Sequence, residues 1–279
     1  MLQNPSGCGV DESCADFNGD GVVSWLDAQG FAALFGSVDS DVDGLPDSCD
    51  LTPTESWAIR IQNDNPFEHY VRVPDTPGLE PTALTIDVIF QPLGPGTGSN
   101  NLFQGASIVS KPFEGSFSIP GESWGVRWSP STKRVGVTAT TTGSIPNVSM
   151  VSQRLIEIGT VVRATYTFDN GAMRLYLDGV LESDVDFPPG SILYGANDVL
   201  FGAQNLCCGL EHRFDGIIER VTIWDHALPQ EKITNILLTI DEEPGLIGHW
   251  TFENQTLQDQ SGGGHHGTAI GPVPFVPTP

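Results

Sequence analysis

The stretch RATYTFDNGAMRLYLDGVLES, residues 163–183, constrains the fold more tightly than any other part of the chain. Ala164, Tyr166 and Phe168 alternate with Arg163, Thr165 and Thr167, the period-two pattern of a strand with one apolar and one polar face. Asp169-Asn170-Gly171 follows with residues that tolerate positive φ, as a tight reversal requires. Met173, Leu175 and Leu177 make a second apolar row interleaved with Arg174 and Tyr176. Asp178-Gly179 is a two-residue loop whose backbone matches the twist of paired strands, and Val180-Leu181 opens a third strand. The stretch predicts a three-stranded antiparallel meander.

The flanking sequence has the same texture. Short alternating segments occur at 58–61, 69–74, 84–90, 107–111, 123–128, 134–140, 214–224 and 246–252. One short helix is expected from Leu228-Pro229-Gln230 onward, with Pro near its start. Gly 32 and Pro 21 supply the turns. Many short strands with frequent turn signals predict an all-β, two-sheet antiparallel sandwich. The boundaries read as an acidic segment over 1–53, the sandwich over 54–271 and a Pro-rich tail or linker over 272–279.

Charge narrows the function. The chain carries 12 Lys and Arg against 35 Asp and Glu, a formal net charge of −23, and residues 1–53 hold no Lys or Arg. Nucleic acid and anionic membrane surfaces both need a basic footprint, so neither is an expected partner. No run of about 18 apolar residues predicts a membrane-spanning helix. The opening MLQNPSGCGV lacks the charged and apolar regions of a signal peptide, so either that signal has been removed or the chain is a piece of a longer one. Cys8, Cys14 and Cys49 flank the acidic region, where a disulfide is expected. Cys207-Cys208 reads as a vicinal disulfide, as two free thiols or as pairing elsewhere.

Within the acidic segment, Asp16, Asn18, Asp20, Ser24 and Asp27 stand at loop positions one, three, five, nine and twelve, with Gly21 at six and the Val22 carbonyl at seven. A hard cation such as Ca²⁺ takes six to eight oxygens, and this spacing wraps the chain around one. Leu26, Phe31, Leu34 and Phe35 then recur at helical spacing, ended by Gly36. The loop resembles the calcium loop of dockerin repeats, which also close on Asp. Asp39, Asp41, Asp43, Leu45 (through its carbonyl), Asp47 and Asp50 repeat the spacing, and this second loop resembles a thrombospondin type 3 repeat. Together they predict a Ca²⁺-stiffened spacer.

A broader resemblance covers residues 56–271. The stretches AIRIQ, HYVRVPDTPGLEPTALTIDVIF, IVSKPF, ATYTFDNGAMRLYLDGVLES, FDGIIERVTIWDHALPQEKI and LIGHWTFENQTLQDQSGGGHHGTAIG are similar, in that order, to a laminin-G-like, concanavalin A-like jelly roll. The resemblance implies a jelly-roll sandwich in a secreted or cell-surface protein, and a structural Ca²⁺ near the junction of first and last strands. Asp64, Glu68 and Asp259 are the candidate ligands; solvated turn residues are the other reading.

Three further constellations bear on chemistry. Glu182-Ser183-Asp184-Val185-Asp186 is the nearest approach to the paired-carboxylate runs of sugar-cleaving sandwiches, with an ordinary surface strand as the alternative. His249, His265 and His266 invite a metal, or belong to the closing turn. Trp124 and Trp128, with Arg127 on the opposite strand face, are either a sugar-stacking platform or inter-sheet core. The function expected is a non-catalytic extracellular recognition or adhesion module for polysaccharide or glycoprotein glycans, behind a Ca²⁺-stiffened spacer, with further domains of a longer chain as possible neighbours. A glycoside hydrolase or polysaccharide lyase, and a dockerin-like scaffold-docking module, are the alternatives.

Overall fold

Alternating apolar residues, flanked by turn residues, give the chain its strands. The computed structural model describes residues 56–63, 68–97, 105–113, 122–206, 209–236, 240 and 243–278. The two acidic loops, Asp64 and Cys8, Cys14, Cys49, Cys207 and Cys208 lie outside them. In chain order the strands are β1 (Trp57–Ile61), β2 (Tyr70–Val73), β3 (Leu84–Pro92), β4 (Ala106–Pro112), β5 (Glu122–Ser129), β6 (Arg134–Thr140), β7 (Asn147–Val151), β8 (Val162–Asp169) and β9 (Ala172–Leu177). They continue with β10 (Val180–Asp186), β11 (Val199–Phe201), β12 (Gln204–Leu206), β13 (Gly209–Glu211), β14 (Gly216–Trp224), β15 (Leu246–Trp250), β16 (Thr268–Ile270) and β17 (Phe275–Pro277). A short helix, α1, spans Gln230–Thr234.

Two antiparallel sheets stack as a sandwich of jelly-roll type, as expected. Sheet A runs β10-β9-β8-β3-β14-β1-β17, with β15 also paired to β14, and sheet B runs β16-β2-β11-β4-β5-β6-β7. The meander forms as the sequence predicts: Tyr166 pairs with Leu175 and Leu177 with Val180. Asn170 and Gly171 take φ of 45° and 92° at the first reversal, the left-handed pair that a two-residue hairpin loop demands.

Between the sheets, Tyr166, Phe168, Met173 and Leu175 meet Trp124, Val126, Trp128, Val135 and Val137, all in one core cluster. Phe201 packs edge-on against Trp250 at 5.1 Å between ring centroids. Trp128 donates its indole N–H to the Ile156 carbonyl at 3.0 Å, which makes burial of this polar edge tolerable.

The tail differs from its reading as a linker. Residues 275–277 form β17, paired with Trp57–Ile59 of β1, and the compact unit of the sandwich runs from Trp57 to Pro277. Proline is tolerated there because β17 is the outermost strand, where a missing N–H breaks no central ladder. The polar face of the meander also differs: Arg163, Thr165 and Thr167 are buried. A second apolar cluster of Tyr176, Trp224, Leu228, Ile233, Ile236 and Ile240 packs on that side of sheet A, and Arg163 donates to the Ile233 carbonyl at the end of α1 at 2.6 Å.

Candidate functional site

On β5 the apolar residues Trp124, Val126 and Trp128 point into the core, so the intervening residues form the outer face of sheet B. Strand pairing sets Ser110, Gly125, Thr138 and Ser149 in one row across that face. Leu200, Arg72 and Thr268 extend the row toward the β16 edge. Small polar residues thus occupy its centre, while the half-buried Tyr70 and the exposed Arg72 stand on β2, opposite in facing to the buried Val71 and Val73.

Beside the row lies a buried ionic cluster. Arg127 Nη2 meets Glu122 Oε2 at 2.8 Å and Arg127 Nε donates to Glu122 Oε1 at 2.9 Å, a bidentate pair. Thr138 Oγ1 donates to the same Glu122 oxygen, and Arg127 Nη2 also reaches Gln204 Oε1. Glu122 and Arg127 are 1% and 4% exposed. Five residues apart, they would fall on opposite faces of a regular strand. A bulge at Ser123, where Lys111 pairs with Trp124 but Pro112 with Glu122, breaks the alternation. Glu122 then lies across Gly125, where a Cβ would stand 2.4 Å from Oε2; only glycine fits.

This geometry corrects the Trp124–Arg127–Trp128 platform. Both indoles are 1% exposed within the core, so neither offers a ring face to a sugar. Arg127 is on the outer face, but its guanidinium is committed to Glu122 and Gln204. The acidic run on β10 is structural too. Glu182 Oε2 accepts the backbone N–H groups of Gln153 and Arg154 at 2.9 and 2.8 Å, and Ser183 donates to the Val151 carbonyl. Arg174 pairs with Asp184 and Asp186 at 2.8 and 3.0 Å. These contacts join the edge of sheet A to the end of β7 and leave no carboxylate pair poised across a cleft.

Asp259 organises the closing turn. Its two oxygens accept backbone N–H groups from His249, Ser261 and His265, each at 2.9 Å. Burial pushes its carboxyl up, but the hydrogen bonds outweigh burial and hold it below the ordinary range. Glu68 is exposed. The histidines serve the same turn: His249 Nδ1 meets Thr222 Oγ1, His265 Nδ1 meets Thr76 Oγ1, and His266 Nδ1 accepts the Asp259 N–H. Among the described residues no three His, Cys, Asp or Glu side chains cluster as a metal site.

Comparison with known proteins places the sandwich. A family model for the concanavalin A-like lectin/glucanases superfamily, of the laminin G type, matches residues 64–234, more than half of the chain. The chain belongs to this superfamily. No curated protein matches it. Among solved structures it is similar to a candidate carbohydrate-binding protein of Bacteroides ovatus, with 15% identity and a TM-score of 0.60. That match covers 80% of this chain and 60% of the other, so the chain spans less than two thirds of that protein. It is also similar to the CBM40 of the Ruminococcus gnavus IT-sialidase bound to α2,3 sialyllactose, with 14% identity, a TM-score of 0.50 and coverage of 64% and 96%. These likenesses concern the fold.

The sequence reading passed over Tyr70, Arg72, Glu122 and Gln204 as site residues. The first two were accessible to it, because the alternation in HYVRV already sets Tyr70 and Arg72 on one face. Burial, reinforced by the Glu68 carboxylate, pushes the Tyr70 phenol up, so it remains a neutral hydrogen-bond donor at neutral pH. Glu122 and Gln204 are 82 residues apart in sequence and meet only through Arg127.

Proposed function

We propose that this superfamily member is a non-catalytic carbohydrate-recognition module, and that the outer face of sheet B is its binding surface. The supporting observation is the β2 end of the row Arg72–Leu200–Ser110–Gly125–Thr138, where the exposed Arg72 guanidinium and the half-buried Tyr70 phenol stand on one face while the rest of the row is buried. Sugars are bound by planar groups beside convergent donors and acceptors, and Tyr70 and Arg72 supply both. Glycoside hydrolysis needs two available carboxylates, whereas Glu122 is buried against Arg127 and Glu182 holds backbone amides. The printed descriptions of the Bacteroides ovatus and Ruminococcus gnavus proteins favour the same class.

The test is a glycan array followed by calorimetry on the full chain. Tyr70→Ala and Arg72→Ala each weaken binding roughly tenfold, on the order of 1.4 kcal/mol, with unchanged melting. Binding that survives the double variant unchanged moves the site elsewhere on the domain.

The acidic segment is, in this proposal, a Ca²⁺-stiffened spacer in an extracellular or cell-surface protein, with ligands Asp16, Asn18, Asp20, Val22, Ser24 and Asp27 in one loop and Asp39, Asp41, Asp43, Leu45, Asp47 and Asp50 in the next. Clustered carboxylates repel one another unless a cation neutralises them. EDTA is therefore expected to increase proteolysis of residues 1–53 while glycan binding by the sandwich persists. Identical digestion with and without EDTA removes Ca²⁺ from the account.

A further inference from the structure

The side chain of Lys111, on β4, is fully buried, at 0% exposure. It lies on the core side of sheet B, paired in register with Trp124, and its ammonium is 5.8 Å from the centre of the Tyr194 ring. Three oxygens surround Nζ. It is in hydrogen-bond contact with Asp75 Oδ1, donates to the Asn197 carbonyl at 2.9 Å and stands 3.6 Å from Glu80 Oε1. Asp75 is further oriented by Asp198, whose Oδ1 accepts the Asp75 backbone N–H at 2.9 Å. One amine on β4, one carboxylate in contact with it and a second carboxylate 3.6 Å from it are thus brought together by the β2–β3 connection, beside the Tyr194 ring.

We propose that Lys111 and Asp75 condense into an intramolecular isopeptide bond, with Glu80 as the proton relay. The chemistry is balanced without any co-reactant. Glu80 takes a proton from the Lys111 ammonium and delivers it to an Asp75 carboxylate oxygen. The freed amine attacks Asp75 Cγ, forming the N–C bond. The Cγ–O bond then breaks and one water leaves, with one of the two nitrogen protons passing through Glu80 to the departing oxygen and the other staying as the amide N–H. An ammonium and a carboxylate become a neutral amide and water, so no oxidant, nucleotide or metal is consumed.

Two physical effects favour the step. Holding the amine against the carboxyl replaces a bimolecular encounter with a unimolecular one, and a buried lysine is a nucleophile whenever a neighbouring base takes its proton. Converting the pair to an amide also removes the ammonium charge from the fully buried Lys111, together with that of its half-buried partner. The product joins the β2–β3 connection covalently to β4.

Intact-mass spectrometry of the full chain, reduced and denatured, tests it. The expected mass is lower than the sequence mass by one water. A chymotryptic digest, which cuts after Phe90 and Phe103 between the two residues, should contain a branched peptide linking the Asp75 and Lys111 segments. Lys111→Arg keeps the cation but removes the nucleophile, and restores the full mass. Glu80→Gln removes the relay and leaves most of the chain unlinked. These masses are read on denatured protein, so a folding defect in either variant is detected separately by circular dichroism; a folded Glu80→Gln protein that still loses water overturns the relay. A wild-type chain at full sequence mass, whose chymotryptic digest yields the Asp75 and Lys111 peptides unlinked, overturns the bond itself.

Discussion

Arg127→Met is expected to destabilise the sandwich by roughly 3–5 kcal/mol, because it leaves the Glu122 carboxylate buried and unpaired. Glu122 is 1% exposed, and Arg127 is its bidentate partner. Thr138 alone cannot replace the two guanidinium bonds. The informative variant is the double replacement, Glu122→Met with Arg127→Met. Removing both charges removes the desolvation cost together with the attraction, so the double variant should recover most of the loss. It should not recover all of it, because Gln204 Oε1 and the Thr138 hydroxyl lose the partners they have here and each costs about 1–3 kcal/mol if left unpaired. Urea unfolding of the four proteins closes the cycle; additive losses would show that Glu122 and Arg127 are not energetically coupled. The same proteins separate architecture from recognition: under the proposed function their glycan binding should follow folding alone, because Tyr70 and Arg72 are unchanged in all of them.

The cluster also shows where sequence reasoning stops. The β8–β9–β10 meander was legible because its information is local: Tyr166 and Phe168 declare a face, and Asn170-Gly171 and Asp178-Gly179 accept the φ values that the reversals need. The alternation around Trp124 and Trp128 placed both indoles on one face, and whether that face met solvent or the other sheet depended on partners far along the chain. The burial of Arg163, Thr165 and Thr167 was illegible for the same reason, since the cover comes from Trp224, Leu228 and Ile233 some 60 residues later. β17 was hidden by its prolines, which describe a linker until an edge position on β1 makes them harmless. Glu122 and Arg127 were hidden by the bulge at Ser123, which reverses the facing that strict alternation assigns.

Asp259→Ala carries the second large effect. The carboxylate organises the closing turn, accepting N–H groups from β15 at His249 and from Ser261 and His265. Its loss leaves these amides with no acceptor at a site where Asp259 itself is only 7% exposed. Bonds to a charged acceptor are the stronger kind, so the expected cost is about 2–4 kcal/mol, or a Tm lowered by roughly 5–12 °C for a domain of this size. Asp259→Asn recovers part of this, because one carbonyl oxygen remains while the amide NH₂ opposes a backbone donor. The pH dependence distinguishes a charge effect from lost packing. The folded-state carboxyl is held below its unfolded value, near 3.9, by hydrogen bonds that outweigh burial. Its contribution is therefore complete above the unfolded value and disappears as pH falls through the folded one. Wild type and Asp259→Asn should differ most at neutral pH and converge on acidification below about pH 4. A difference constant across that window would assign the loss to shape alone. A Ca²⁺-dependent difference would instead assign Asp259 a metal-ligand role in addition to its three amide bonds.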